Sequence, residues 1–336
     1  MIQIVLVGLG KMGGNHFRIL SAMSGCRIAA VVDSDPQLAK EFGDRGKCPA
    51  FASLDAALQE VRPEAIVIAA STSTHFELAS LALKNKIPVL VEKPIAATVK
   101  EALHLCRLAC ETQTPFMVGH VERFNPAVVT AHHLIRTGEL GEILTISSKR
   151  VGGNPSDQKR AGDVLVDLAV HDLDLFKTLL GKVPQLISCV GYGDQEIHCA
   201  TLLLKVGKTL VDAHVNWLTP VKVREIQIIG SKGYCFLNLI TQQATLVRQN
   251  PLLTQAEIPK EFFFDSYLKS FAQPDKLQIG IQQKEPLQQE LTAFIAAITG
   301  HLTMPVPPED GLDALRIADQ ARKTILNTEH CSATSL

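Results

Sequence analysis

The chain opens on an apolar run, Ile2–Val7, that leads without a spacer into Gly8-Leu9-Gly10-Lys11-Met12-Gly13. Helical spacing then continues from Met12 to about Met23. A strand, a G-x-G-x-x-G turn and a helix in that order constrain the fold more than any other feature. Gly8 suits a tight turn, Gly10 lets a phosphate approach the backbone, and Gly13 lets the helix pack closely on the strand. The free N–H groups and positive end of that helix then face the phosphate charge. Gly8, Gly10, Lys11, Met12 and Gly13 are therefore predicted to line a dinucleotide site, with a plain βα turn as the alternative.

The same alternation continues for about 120 residues. Apolar runs fall at Arg27–Val32, Ala65–Ala69, Pro88–Val91 and Pro115–Val118, and helical spacing at Thr74–Leu83 and Thr98–Cys110. Fully apolar strands alternating with amphipathic helices predict a parallel sheet covered on both faces, an α/β Rossmann domain over residues 1–120. Asp33 ends the second strand, about 20 residues beyond Gly13, where an acid accepts hydrogen bonds from the ribose hydroxyls and repels a 2′-phosphate. That predicts NAD as the cofactor. Ser71, Thr72 and His75 follow the strand that ends near Ala69, at the edge where ligands bind in open α/β sheets. They are assigned to the cofactor, with helix capping and a surface histidine as alternatives. Glu92-Lys93-Pro94 ends the next run, and Glu92 and Lys93 are assigned to the same edge.

After residue 120 the pattern changes. Asn125-Pro126 reads as a helix start and Thr137-Gly138 as its stop. Strand-like runs follow at Ile143–Lys149, Gln185–Val190, Ile197–Val206, Thr209–Trp217 and Val221–Ile229, interrupted by one long helix at about Val164–Leu180. Gly207-Lys208 and Ser231-Lys232 read as hairpin turns. Residues 121–336 are thus predicted to form an α+β domain with a large, mostly antiparallel sheet. Two helices close the chain, at Pro286–Ile298 and Asp310–Leu326, with fraying from about Asn327. Phe262-Phe263-Phe264 reads as an edge strand, a lid or a subunit contact.

Lys and Arg total 33 against 34 Asp and Glu, a net charge of −1. That balance argues against a nucleic-acid coat or a polybasic membrane binder. No apolar run reaches the ~18 residues of a membrane span, and Met1 leads straight into a strand, which predicts a cytoplasmic protein. The eight cysteines are scattered with no C-x-x-C pair. This fits a reducing compartment with neither structural disulfides nor a bound metal.

Four features together resemble the glucose–fructose oxidoreductase/inositol dehydrogenase family, called Gfo/Idh/MocA. They are Gly8–Gly13, Glu92-Lys93-Pro94, the run Gly162–Asp167 followed by His171-Asp172, and the order of the two domains. The resemblance implies an active site in an interdomain cleft, oligomerisation through the open sheet as a homodimer or homotetramer, and Lys93, Asp167 and His171 as catalytic residues. The residues agree with this. Asp167 and His171 are spaced i, i+4 and share one helix face. His171 can take the hydroxyl proton of an alcohol, and Lys93 can stabilise the developing charge on its oxygen.

The stretch Gly119–Pro126 resembles the variant in family members that oxidise the C3 hydroxyl of UDP-N-acetylglucosamine with NAD. An aminotransferase then acts on the ketone in diamino-sugar synthesis for lipid A or surface polysaccharide. On this resemblance Arg123 and Asn125 are candidate substrate ligands, with structural roles equally open. Arg150 and Arg160, flanking the Gly152-Gly153-Asn154-Pro155 loop, are candidates for the diphosphate, with a solvated basic loop as the alternative. A free sugar or polyol such as inositol is the alternative substrate. A non-catalytic NAD-binding regulator is the alternative of another class.

Overall fold

A computed structural model describes residues 1–152, 162–193, 196–248 and 275–333. Arg160, its neighbour Lys159, most of the Gly152–Pro155 loop and the Phe262–Phe264 cluster lie outside the described residues. In chain order the elements are β1 (Ile2–Val7), α1 (Lys11–Ala22), β2 (Cys26–Val32), α2 (Pro36–Gly46), β3 (Ala50–Phe51), α3 (Leu54–Glu60), β4 (Ala65–Ile68), α4 (Thr72–Lys84), β5 (Val89–Glu92), α5 (Val99–Thr112) and β6 (Phe116–Gly119). A 3-10 turn (Val121–Phe124) leads to α6 (Pro126–Arg136) and β7 (Ile143–Val151), and a π-helical turn (Leu165–Ala169) to α7 (Val170–Leu180). Then come β8 (Gln185–Tyr192), β9 (Cys199–Val206), β10 (Thr209–Asn216), β11 (Val223–Gly230), β12 (Gly233–Asn238), β13 (Gln243–Arg248), β14 (Asp275–Ile279), α8 (Pro286–Ile298) and α9 (Pro308–Ala333).

The first sheet has the order β3-β2-β1-β4-β5-β6, parallel throughout. Order reverses between β1 and β4, the switch point at which such sheets open a crevice beyond their strand ends. The strands are apolar because both faces are covered: Ile4, Leu6, Ile66, Val67, Leu90 and Met117 are fully buried. Between Asp33 and Glu64 the chain forms α2, β3 and α3, which the sequence reading passed over. Asp35 caps α2 by accepting from the N–H groups of Gln37 (2.9 Å) and Leu38 (3.3 Å), ahead of Pro36. Lys40, Glu41, Asp44 and Arg45 dilute its apolar stripe to Ala39 and Phe42, and β3 is only two residues long.

The second sheet runs β14-β13-β12-β11-β7-β10-β9-β8, antiparallel except for the parallel pair β7 and β10. Burial alternates along β9 and β10, so one face is covered and the other open. The hairpins turn at Gly207-Lys208 and Ser231-Lys232 as expected. The expected helix 164–180 is not one regular helix, because Val170 N–H reaches back five residues to Leu165 O and makes a π turn first. The last helix continues past Leu326 to Ala333 instead of fraying at Asn327, with Ile325 packed against Gly191 of β8.

Two compact units result, and a single cut near residue 120 does not describe them. The first takes residues 1–124, the described part of 159–174, and 285–320; the second takes the rest. The reason is packing: Leu287, Leu291 and Phe294 of α8, with Val306, Leu312 and Leu315, are buried in the core of the first sheet. Val118 N–H also donates to Val306 O at 3.1 Å. The segment carrying Asp167 and His171 therefore belongs to the same unit as Lys93.

Candidate active site

The turn after β1 is built as its glycines require. Gly8 has φ +85°, and a Cβ there would lie 2.5 Å from the Ala70 backbone; a Cβ on Gly13 would lie 1.9 Å from Gly8 O. These two positions are dictated by the chain's own packing. Gly10 differs: among the described residues, its chain neighbours apart, nothing lies within 4 Å of where its Cβ would be. Gly10 also begins α1 without a side-chain cap, so the first N–H groups of that helix are left for a ligand. Lys11 and Met12 are exposed beside it.

Asp33 is half-buried and shapes this turn. Its Oδ2 accepts from Leu9 N–H at 2.7 Å and its Oδ1 from Asp35 N–H at 2.9 Å. Ser71 stands before α4 without capping it by its side chain; its Oγ lies 3.3 Å from Ser73 Oγ, and Thr72 follows half-buried. His75 is fully buried, not on the surface. Its Nδ1 is 2.8 Å from Pro94 O and its Nε2 3.1 Å from Ala70 O. Burial pushes its pKa down, and a neutral ring can donate to only one of the two carbonyls. His75 thus ties the exit of β4, against which Gly8 rests, to the exit of β5, where Lys93 begins a cis peptide bond to Pro94.

Lys93 Nζ donates to the main-chain O of Asp167 at 2.8 Å and lies 3.3 Å from its Oδ1. The Lys93 side chain is only 18% exposed, and two oxygens of one residue fix its ammonium at the sheet edge that carries the glycine turn. Asp167 sits in the π turn, which Asp163 starts by accepting at its Oδ1 from Leu165 N–H (3.1 Å) and Val166 N–H (3.3 Å). His171, half-buried, begins α7 one turn further on.

These features have counterparts in known proteins. Residues 2–120 match the profile "Oxidoreductase family, NAD-binding Rossmann fold", and residues 128–235 match "GFO/IDH/MocA C-terminal domain". The chain belongs to the GFO/IDH/MocA family. An inositol 2-dehydrogenase of Rhizobium meliloti (strain 1021) is 24% identical to it over 98% of this chain and 99% of the relative. A UDP-N-acetylglucosamine 3-dehydrogenase of Acidithiobacillus ferrooxidans is 33% identical over 187 residues, 55% of this chain and 56% of that one. A solved structure of a UDP-N-acetylglucosamine 3-dehydrogenase from the same species superposes with a TM-score of 0.81 at 22% identity, covering 97% of this chain and 98% of that one.

As a GFO/IDH/MocA oxidoreductase the chain uses NAD. The open space at Gly10 and the uncapped start of α1 fit its diphosphate, the group that a Cβ at Gly10 would crowd. Among the described residues no group of three or more His, Cys, Asp or Glu is placed to hold a metal, and no helix is long and apolar enough to cross a membrane.

Three residues assigned to substrate are bonded or buried within the protein. Arg123 donates through Nε to Asp174 Oδ2 (2.7 Å) and through Nη1 to Pro305 O (3.0 Å); its Nη2 pairs with Asp174 Oδ1 and with Asp310 Oδ2 at 2.7 Å. Burial alone would lower its pKa, but the two carboxylates outweigh it and raise it. Arg123 thus joins the 3-10 turn to α7 and α9 as a structural cation. Asn125, in the second unit, caps α6 by accepting from Ala127 N–H at 3.1 Å and donates to Leu239 O at 2.9 Å. Arg150 is not on a solvated loop; it is buried within β7, opposite Arg224 of β11.

Sequence reasoning did not single out His16, which the structure brings against the carboxylate of Glu92. It is fully buried on α1, and its Nε2 is 2.8 Å from Glu92 Oε1. The signal was present: His16 lies on the helix stripe of Gly13, Phe17 and Leu20, and an imidazole on a buried stripe needs a partner.

Proposed function

We propose that this chain oxidises a ring hydroxyl of a sugar or polyol to a ketone with NAD, and that its substrate is UDP-N-acetylglucosamine at C3. The observation that carries the reading is the Lys93 ammonium, fixed by Asp167 at the sheet edge that carries the glycine turn. Gly10 and the start of α1 would hold the diphosphate of NAD and Asp33 would meet its adenosine ribose; NAD, when bound, would supply the hydride acceptor. His171 takes the hydroxyl proton as general base, and Lys93 donates to the oxygen as its charge builds. Asp167 keeps the ammonium directed. The similarity to a UDP-N-acetylglucosamine 3-dehydrogenase supports the nucleotide sugar.

Inositol is the second reading. It is favoured by Arg123 and Asn125, whose bonds are spent within the protein, and by the full-length similarity to an inositol 2-dehydrogenase. If the product is a 3-keto nucleotide sugar, an aminotransferase is the reaction class that would consume it. Val190, Leu203, Leu210 and Ile229 stand exposed on the open face of the second sheet, and we assign that face to a homodimer or homotetramer.

A thermal-shift and NADH-formation screen with NAD separates the substrates. UDP-N-acetylglucosamine should stabilise and be oxidised, UDP alone should give part of the shift, and myo-inositol neither; the reverse pattern establishes the polyol. Lys93→Ala and His171→Ala should each keep NAD binding and lose turnover about 10²–10⁴-fold. Full turnover in either removes that residue from its role.

A further inference from the structure

We propose that His16 is a positioning residue for Lys93, acting through the carboxylate of Glu92. The proposal rests on the reading of Lys93 as the group that meets the reacting oxygen. Glu92 is the last residue of β5 and Lys93 the next, so their side chains leave the strand in opposite directions. Lys93 reaches Asp167 on one side. On the other, Glu92 is buried and bridges two elements: its Oε1 meets His16 Nε2 at 2.8 Å, and its Oε2 accepts from the Lys93 main-chain N–H at 3.2 Å. His16 belongs to α1, the helix whose start faces the NAD diphosphate. One carboxylate therefore ties the backbone of the reacting lysine to the helix that holds the cofactor.

The carboxylate has little freedom to lie otherwise. A Cβ on Gly119 of β6 would be 3.2 Å from both Glu92 Cα and Glu92 Oε2, so the carboxylate fits against bare backbone. It is also the ionised member of a buried carboxyl pair. Burial would raise Glu92, but His16 and Lys93 hold it below the usual range. Glu290, on the inner stripe of α8 with Leu287, Leu291 and Phe294, is pushed well above the usual range by burial and by the charges of Glu92 and Asp174. Without His16, Glu92 would be a buried charge lacking its chief partner. It would protonate or move, and the main chain of Lys93 would move with it.

The test compares His16→Leu, which removes the donor, His16→Gln, which restores an N–H, Glu92→Gln, and the Leu/Gln double variant. Acetic anhydride labelling of Lys93 in the NAD-bound protein is read by peptide mass spectrometry against exposed Lys84, beside kcat and KM for the oxidised sugar. In His16→Leu, Lys93 labelling should rise at least about threefold, and kcat should fall about tenfold or more with KM changed less than about threefold. His16→Gln should recover most of both, and the double variant should be no worse than Glu92→Gln. Wild-type labelling in His16→Leu, or losses that simply add in the double variant, overturns the proposal. If His16→Leu does not fold, Glu92→Gln decides: unchanged Lys93 labelling there also overturns it. Labelling needs no substrate, so it separates this proposal from a failure of the dehydrogenase reading, which wild-type turnover reports by itself.

Discussion

The two sheets of this chain bury their strands in opposite ways, and the difference decides where each can act. In the parallel sheet, β4, β5 and β6 are buried along their whole length, so nothing in mid-strand can meet a ligand. Chemistry is confined to the strand ends, where Gly8, Ala70 and Lys93 stand. In the antiparallel sheet burial alternates, and every second residue of β9 and β10 is turned outward. The first sheet offers an edge and the second offers a face.

The edge depends on backbone contacts that cannot give, which makes Gly13→Ala the largest expected effect. Its Cβ would lie 1.9 Å from a main-chain oxygen, so the turn or the helix must shift. NAD affinity should fall at least about hundredfold, some 3 kcal/mol, in a calorimetric titration. Affinity within about threefold of wild type would mean that the edge is not set by this packing. A smaller pair of effects compares the interiors. Leu90→Ala removes a fully buried side chain and should cost about 2–5 kcal/mol in chemical denaturation. Leu203→Ser, at a position 43% exposed in the single chain, should cost within about 0.5 kcal/mol when denaturation is followed at a dilution that keeps the chain monomeric. Equal losses there would erase the contrast between the two sheets.

Much of the parallel sheet was legible because its signals are local. Apolar runs, helical spacing and a glycine turn each lie within a few residues and mark Gly8–Gly13, whereas Lys93 and Asp167 were named as catalytic from the family resemblance. For Arg123 and Asn125 the sequence left a ligand role and a structural role open, because the partners that take up their hydrogen bonds lie far off in sequence: Asp174, Pro305 and Asp310 for Arg123, and Leu239 for Asn125. The return of α8 to the first sheet, after more than a hundred residues elsewhere, was hidden from a single cut near residue 120 for the same reason. His16 was missed because a histidine in a helix carries no local mark of the acid that binds it.

One further expected effect is a gain that appears only as pH rises, and it probes the interior behind the edge. Glu290 is fully buried, and its carboxyl has no hydrogen-bond partner among the described residues. Burial, then the charges of Glu92 and Asp174, raise its pKa in the folded protein above the ordinary value of 4.5. Below pH 4.5 both folded and unfolded chains carry the proton, and Glu290 adds no pH dependence. As pH rises past that value the unfolded chain ionises while the folded one stays neutral, so stability is lost until the folded pKa is reached. Glu290→Gln has no proton to lose. Its stability relative to wild type should therefore rise as pH increases above about 4.5, by at most ~1.4 kcal/mol per pH unit, in denaturation curves taken at each pH. Glu92 works with the opposite sign, its folded pKa being depressed, but it is present in both proteins and largely cancels in the difference. A difference that stays flat across this range would mean that Glu290 is ionised in the fold. The buried space between α1, α8 and the 3-10 turn would then have to hold a compensating charge.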